Sequence, residues 1–280
     1  MSVRDPLIST ADLAGYLGET DLRVIDASWF MDGRDARAAW REAHIPKAVF
    51  FDIDEVADTA SLLPHMLPTP EKFAQAAGDL GISETDRIVV YDQQGLFSAA
   101  RVWWSFRAMG ALNVQVLDGG LPKWRKEKRP VESGAFAVKP ALFQPRYRPA
   151  LVRAMDQVAG ELAAGGQVVD ARPAARFKGE APEPRQGLRS GHMPGARSLP
   201  HGELLNKDGT MKAAPELAAL FADAGVDPGR PVTATCGSGV TAAIVALALA
   251  RLGQEAAAVY DGAWADWGAA GGGEVVTGAA

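Results

Sequence analysis

Cys236 is the only cysteine in a chain of 280 residues, and small residues follow it: Gly237-Ser238-Gly239-Val240-Thr241. As a thiolate, cysteine is the strongest nucleophile among ordinary side chains near neutral pH. Two glycines let the loop turn tightly with its backbone N–H groups facing inward, which makes an anion-binding nest where a helix begins. Such a nest, together with the positive end of the helix, stabilises a negative sulfur. A buried cysteine that merely fills space needs no such wrapping.

Several thiolate chemistries can be compared with this loop. A cysteine phosphatase needs an arginine six residues after the nucleophile, and that position is Ala242. A thioredoxin-like exchange needs a second cysteine. A cysteine hydrolase needs a histidine base, an option that His65 keeps open. The four histidines and one cysteine show no metal-ligand spacing, so neither a metal nor an organic cofactor is expected.

The elements that position Cys236 belong to a repeated unit. Asp26-Ala27 recurs as Asp170-Ala171, and His44-Ile45-Pro46-Lys47-Ala48 as His192-Met193-Pro194-Gly195-Ala196. Leu80-Gly81-Ile82 matches Ala224-Gly225-Val226, and Val89-Val90-Tyr91-Asp92 matches Thr233-Ala234-Thr235-Cys236. Leu117-Asp118-Gly119-Gly120 with Trp124 matches Tyr260-Asp261-Gly262-Ala263 with Trp267. The offset stays between 143 and 148 residues throughout, which marks duplication of a whole domain. Within each unit the strand Ile88–Tyr91 or Val232–Thr235 precedes a helical pattern (Ser98–Met109 or Thr241–Leu252) closed by Gly110 or Gly253. A further strand then follows, Val114–Leu117 or Ala256–Tyr260. This alternation predicts an α/β fold, two tandem domains each with a mostly parallel sheet flanked by helices. Ligands of such sheets sit beyond the carboxyl ends of strands, where Asp92 and Cys236 fall.

The expected boundaries are a first domain over 1–137, a proline-bearing linker over 138–150 and a second domain over 151–280. The glycine-rich tail after Trp267 is expected to fray. The two copies also serve as controls for each other. His44, His192, Asp118, Asp261, Trp124 and Trp267 occur in both halves and read as structural. Cys236 stands opposite Asp92, and Asp54 and His65 have no match in the second half.

Composition excludes other classes. Apolar residues make up 48% and charged residues 22%, with a formal net charge of -5, so nucleic acid or an anionic membrane is not expected as a partner. No apolar run approaches the roughly 18 residues of a spanning helix. The start MSVRDPLISTADLAG shows no apolar signal-peptide core, and a lone cysteine suits a reducing compartment, so a cytoplasmic location is expected.

Tandem units with an active cysteine in the second alone resemble the rhodanese superfamily. The loop Cys236–Thr241 is similar to that of its 3-mercaptopyruvate sulfurtransferases. The resemblance implies that Cys236 accepts sulfur as a persulfide and that Gly237, Gly239, Val240 and Thr241 line the donor site. It also implies that Arg176 and Arg185 bind the donor carboxylate and carbonyl. Ser238, His65 and Asp54 would form a proton-handling trio, and the first domain, which lacks a cysteine, would have a structural and interface role. The implied partners are a small sulfur donor and a thiol acceptor such as thioredoxin, or cyanide. Thiosulfate sulfurtransferases of the same architecture carry arginine and lysine where this chain has Gly237 and Ser238. A neutral pair suits a monoanionic thiol acid better than dianionic thiosulfate. A thiosulfate sulfurtransferase and a non-catalytic persulfide carrier remain the alternatives.

Overall fold

Short runs, buried in the central strands, form the sheets, and the computed structural model describes residues 5–279. In the first half these are β1 (Leu7–Ile8), β2 (Leu22–Asp26), β3 (Val49–Phe50), β4 (Arg87–Tyr91) and β5 (Val114–Leu117), in the order β1-β5-β4-β2-β3. The second half supplies β6 (Val152–Arg153), β7 (Gln167–Asp170), β8 (Arg197–Ser198), β9 (Val232–Thr235) and β10 (Ala258–Tyr260), in the order β6-β10-β9-β7-β8. Every pairing within both sheets is parallel, and the two orders are the same. The predicted α/β duplication is therefore present.

The central strands β4 and β9 lead directly into Asp92 and Cys236. Each is followed by a buried helix, Ala99–Ala108 or Ala242–Arg251, with Ser98 or Thr241 at the N-cap. Every residue of the first helix is buried, as is every residue of the second except Arg251. A helix enclosed on all sides cannot shift without opening the core, so the loop entering it is held at both ends. The strand β10 starts at Ala258, two residues later than expected, and each helix is one residue shorter at both ends.

The chain divides into two compact units. One contains residues 1–59, 67–148 and 206–211; the other contains 60–66, 149–205 and 212–280. Within the first unit, residues 138–148 carry no helix or strand but are tied down. Ala141, Arg146 and Arg148 donate backbone N–H groups to Gly78, Met109 and Ala108. Phe143 is buried edge-on against Phe73 and Phe106. The structural reading of the paired histidines also holds. Nδ1 of His44 lies 2.8 Å from the Trp40 carbonyl oxygen, and Nδ1 of His192 lies 2.9 Å from that of Phe177. Among the described residues no helix is long and apolar enough to cross a membrane.

The tail after Trp267 is ordered, contrary to the expectation from its glycines. His192 and Val276 form an antiparallel bridge, and Nε1 of Trp267 donates to the Glu274 carbonyl at 2.7 Å. The Arg189 guanidinium donates to the carbonyls of Trp267, Gly268, Ala269 and Gly273. A side chain at Gly273 would run into the Trp267 ring, so glycine here permits close passage over that ring rather than signalling flexibility. Replacing Arg189 by alanine should cost about 1 kcal/mol, because the arginine is exposed and its donors can turn to water. Hydrogen exchange should then accelerate selectively over residues 268–276. Uniform exchange rates across the chain would contradict this account of the tail.

Candidate active site

Two copies of one loop frame, built on β4 and β9, show what it holds. In the first unit the carbonyl of Asp92 accepts from Leu121 N–H at 3.0 Å, which fixes the turn out of the strand. The Asp92 carboxylate then folds back into its own loop. Its Oδ1 accepts from the Gln94 amide at 2.9 Å, and Oδ2 from the Phe97 and Ala99 amides at 2.6 and 2.9 Å. Burial pushes the Asp92 carboxyl up, and the Ala99, Phe97 and Gln94 amides pull it back. This loop is an anion nest occupied by a side chain of the same protein.

The second unit repeats the frame with a thiol. The Cys236 carbonyl accepts from Trp264 N–H at 2.9 Å, and the Gly237 carbonyl from Ala265 N–H at 3.0 Å. Both carbonyls are thereby turned onto the first turn of the helix Ala263–Trp267. Gly239 takes the left-handed backbone (φ 78°), as Gly95 does in the first unit (φ 112°). Cys236 is a free thiol and is buried, as are Ser238 and Val240, while Thr241 stands at the N-cap position of the following helix. Equivalent backbone anchoring places Cys236 at the position that Asp92 takes in the first unit.

Arg176 and Arg185 converge on this loop. A carbon added at Gly237 would lie 3.1 Å from Nη2 of Arg176 and 3.9 Å from Nη1 of Arg185. Glycine after the cysteine leaves room for the Arg176 guanidinium beside the loop, with that of Arg185 at ordinary contact distance. Arg176 sits in the short helix Ala174–Phe177, and its Nε and Nη2 both donate to Oε2 of Glu183. Oε1 of Glu183 accepts from Nη1 of Arg172 at 2.7 Å, and Arg172 in turn grips Asp170 through Nε and Nη2. The Arg172 guanidinium lies 3.9 Å above the ring of Trp264, whose backbone anchors Cys236. Burial works against the Arg172 charge, but Asp170 and Glu183 more than offset it and raise its pKa. Burial also lowers the pKa of His201, against its bond to the Ala171 carbonyl, and the charge of Arg176 adds to the lowering.

Cys236, Gly237, Ser238, Arg176 and Arg185 are therefore brought together in the second unit. His65 belongs to that unit through the segment 60–66, and it is buried with a left-handed backbone (φ 59°). Asp54 belongs to the first unit, where Trp29 Nε1 donates to its carboxylate at 3.0 Å. Arg172 and Glu183 were missing from the sequence reading. One signal could have found the first of them: Arg172 stands opposite Ser28, as one-sided as Cys236 opposite Asp92.

Tandem parallel sheets with a lone cysteine in one of two equivalent loops define a duplicated α/β domain with a thiol in its second copy. The family model for the rhodanese-like domain matches residues 9–127 and again 154–270, and the chain belongs to the rhodanese family. It is 43% identical to 3-mercaptopyruvate sulfurtransferase of Escherichia coli (strain K12), over 92% of each chain. It is 42% identical to the mitochondrial thiosulfate/3-mercaptopyruvate sulfurtransferase 1 of Arabidopsis thaliana, over 95% of this chain and 77% of that one. The crystal structure of SseA from Escherichia coli, a 3-mercaptopyruvate sulfotransferase, superposes with a TM-score of 0.86 at 39% identity, covering 93% of this chain and 99% of the other.

The occupied nest can be tested in the first unit. In Asp92→Asn one oxygen can still serve Phe97 and Ala99, but the new amide nitrogen faces the Gln94 N–H donor. The loss should be about 1–3 kcal/mol, read as a lower melting temperature. An unchanged melt would show that the carboxylate does not hold the loop.

Proposed function

We propose that the protein is a 3-mercaptopyruvate sulfurtransferase that carries sulfur as a persulfide on Cys236. The observation that carries this reading is the convergence of Arg176 and Arg185 on Gly237, one residue from the only thiol. Two planar guanidinium forks match the carboxylate and carbonyl oxygens of a 2-oxo acid. They position its C3 thiol against Cys236. The Cys236 thiolate attacks the thiol sulfur, an S–S bond forms and the C3–S bond breaks. The bonding electron pair leaves on C3 as the enolate of pyruvate, which takes up a proton to give pyruvate. Loop amides stabilise the negative persulfide that remains, as the first unit's amides hold the Asp92 carboxylate.

Gly237, Gly239, Val240 and Thr241 line the donor site in this reading. Ser238 and His65 manage the proton that pyruvate needs. An acceptor then removes the outer sulfur and restores the thiolate. A thiol such as that of thioredoxin becomes a persulfide, and cyanide becomes thiocyanate. The working boundaries are a first rhodanese-like domain over 1–137, a linker over 138–150 and a catalytic domain over 151–280. A reducing compartment, the cytoplasm, suits a protein whose one thiol must stay reduced.

Steady-state kinetics of Arg176→Ala and Arg185→Ala test the donor clamp. A charge-assisted hydrogen bond contributes about 1.5–3 kcal/mol, so each change should lower kcat/KM for 3-mercaptopyruvate by about ten- to hundredfold. Lysine at either position should rescue in part, keeping charge but losing the fork. A change under about threefold with unchanged melting would remove that arginine from the donor site.

A further inference from the structure

Four charged side chains of the second unit form a single chain of ion pairs: Asp170, Arg172, Glu183, Arg176. The side chains of Asp170, Arg172 and Glu183 are each 1% exposed, and that of Arg176 is 16% exposed. Two cations and two anions sum to zero. Arg172 is closed off, with Nε and Nη2 on Asp170, Nη2 also on the Gly191 carbonyl and Nη1 on Glu183. The second oxygen of Glu183 accepts from Arg176 on the Nε–Nη2 edge. That same Nη2 is the atom that stands 3.1 Å from a carbon built at Gly237. Arg176 thus enters the loop's surroundings with its plane fixed and its charge cancelled within the unit.

If Glu183 were only a brace for Arg176, a neutral acceptor such as a backbone carbonyl would serve. A carboxylate does something further, because the Glu183 side chain is only 1% exposed and at a few ångströms its charge acts strongly on any bound anion. It opposes each additional negative charge brought to Arg176.

We propose that Glu183 is a specificity-determining positioning residue: it holds the Arg176 fork over Gly237 while cancelling its charge, so that the site favours a monoanionic sulfur donor over a dianionic one. The proposal rests on the reading that Arg176 binds the donor. It adds a second device to the neutral Gly237-Ser238 pair, and the two act independently: one withholds cations from the loop, the other neutralises a cation already there.

The test is the ratio of kcat/KM for thiosulfate, a dianion, to that for 3-mercaptopyruvate, a monoanion. Glu183→Gln keeps the size of the side chain and removes its charge, and the ratio should rise at least about tenfold over wild type. Glu183→Asp keeps the charge and should stay within about threefold of the wild-type ratio. A purely bracing role would lower both donors together and leave the ratio unmoved. Inhibition by pyruvate and by oxalate, anions of similar size and different charge, gives a readout on the wild-type protein as well. Wild type should bind pyruvate more tightly than oxalate, and Glu183→Gln should narrow that gap about tenfold. A ratio unchanged within threefold in Glu183→Gln with normal melting and normal Cys236 alkylation overturns the proposal. Where that variant does not fold, oxalate binding to wild type as tightly as pyruvate overturns it instead. Failure of the donor reading is a separate result: Arg176→Ala would then leave 3-mercaptopyruvate turnover intact, whatever Glu183→Gln does.

Discussion

A negative sulfur can be held away from bulk water only where fixed dipoles replace its hydration, and that requirement shapes the loop after β9. Flexible donors would have to be ordered each time the charge appears. Backbone amides between a buried strand and a buried helix are ordered already. The carbonyls of Cys236 and Gly237 are occupied by the amides of Trp264 and Ala265. The helix Ala242–Arg251 is enclosed along nearly its whole length. Cys236 itself is 2% exposed, so the chemistry starts from a shielded thiol.

Duplication makes this reasoning testable inside one molecule. The first unit keeps the same strand order and the same fixed turn, yet its nest is filled by Asp92. The Asp92 carboxylate is anchored there by three backbone amides. The other marked difference between the units lies one strand away. After β2 comes Ser28, whose amide bonds Asp26; after β7 comes Arg172, which pairs with Asp170 and Glu183. The unit with the thiol also has the ion-pair chain that ends on Arg176, so Cys236 and Arg176 follow adjacent strands, β9 and β7.

The parallel sheets, the repeat and the position of Cys236 were legible because they depend on local pattern: short apolar runs, glycine stops and a constant offset. The ion-pair chain was not, because Glu183 and Arg172 are eleven residues apart and meet only through the fold. Charged residues in a proline-rich stretch read as surface, and nothing in Pro182-Glu183-Pro184-Arg185 shows that the glutamate is enclosed. The tail was misread for a related reason. Glycine at 272 and 273 looks flexible in sequence, but it is small so that the chain can lie against Trp267. The assignment of residues 60–66 and 206–211 to opposite compact units is a tertiary fact with no local signature.

Intact-protein mass spectrometry after incubation with 3-mercaptopyruvate tests the central claim most directly. Wild type should gain the mass of one sulfur, lose it again when cyanide is added, and release pyruvate in equal amount, while Cys236→Ser gains nothing. Turnover by Cys236→Ser, or wild-type turnover without a sulfur-bearing form of the protein, would contradict a persulfide on Cys236.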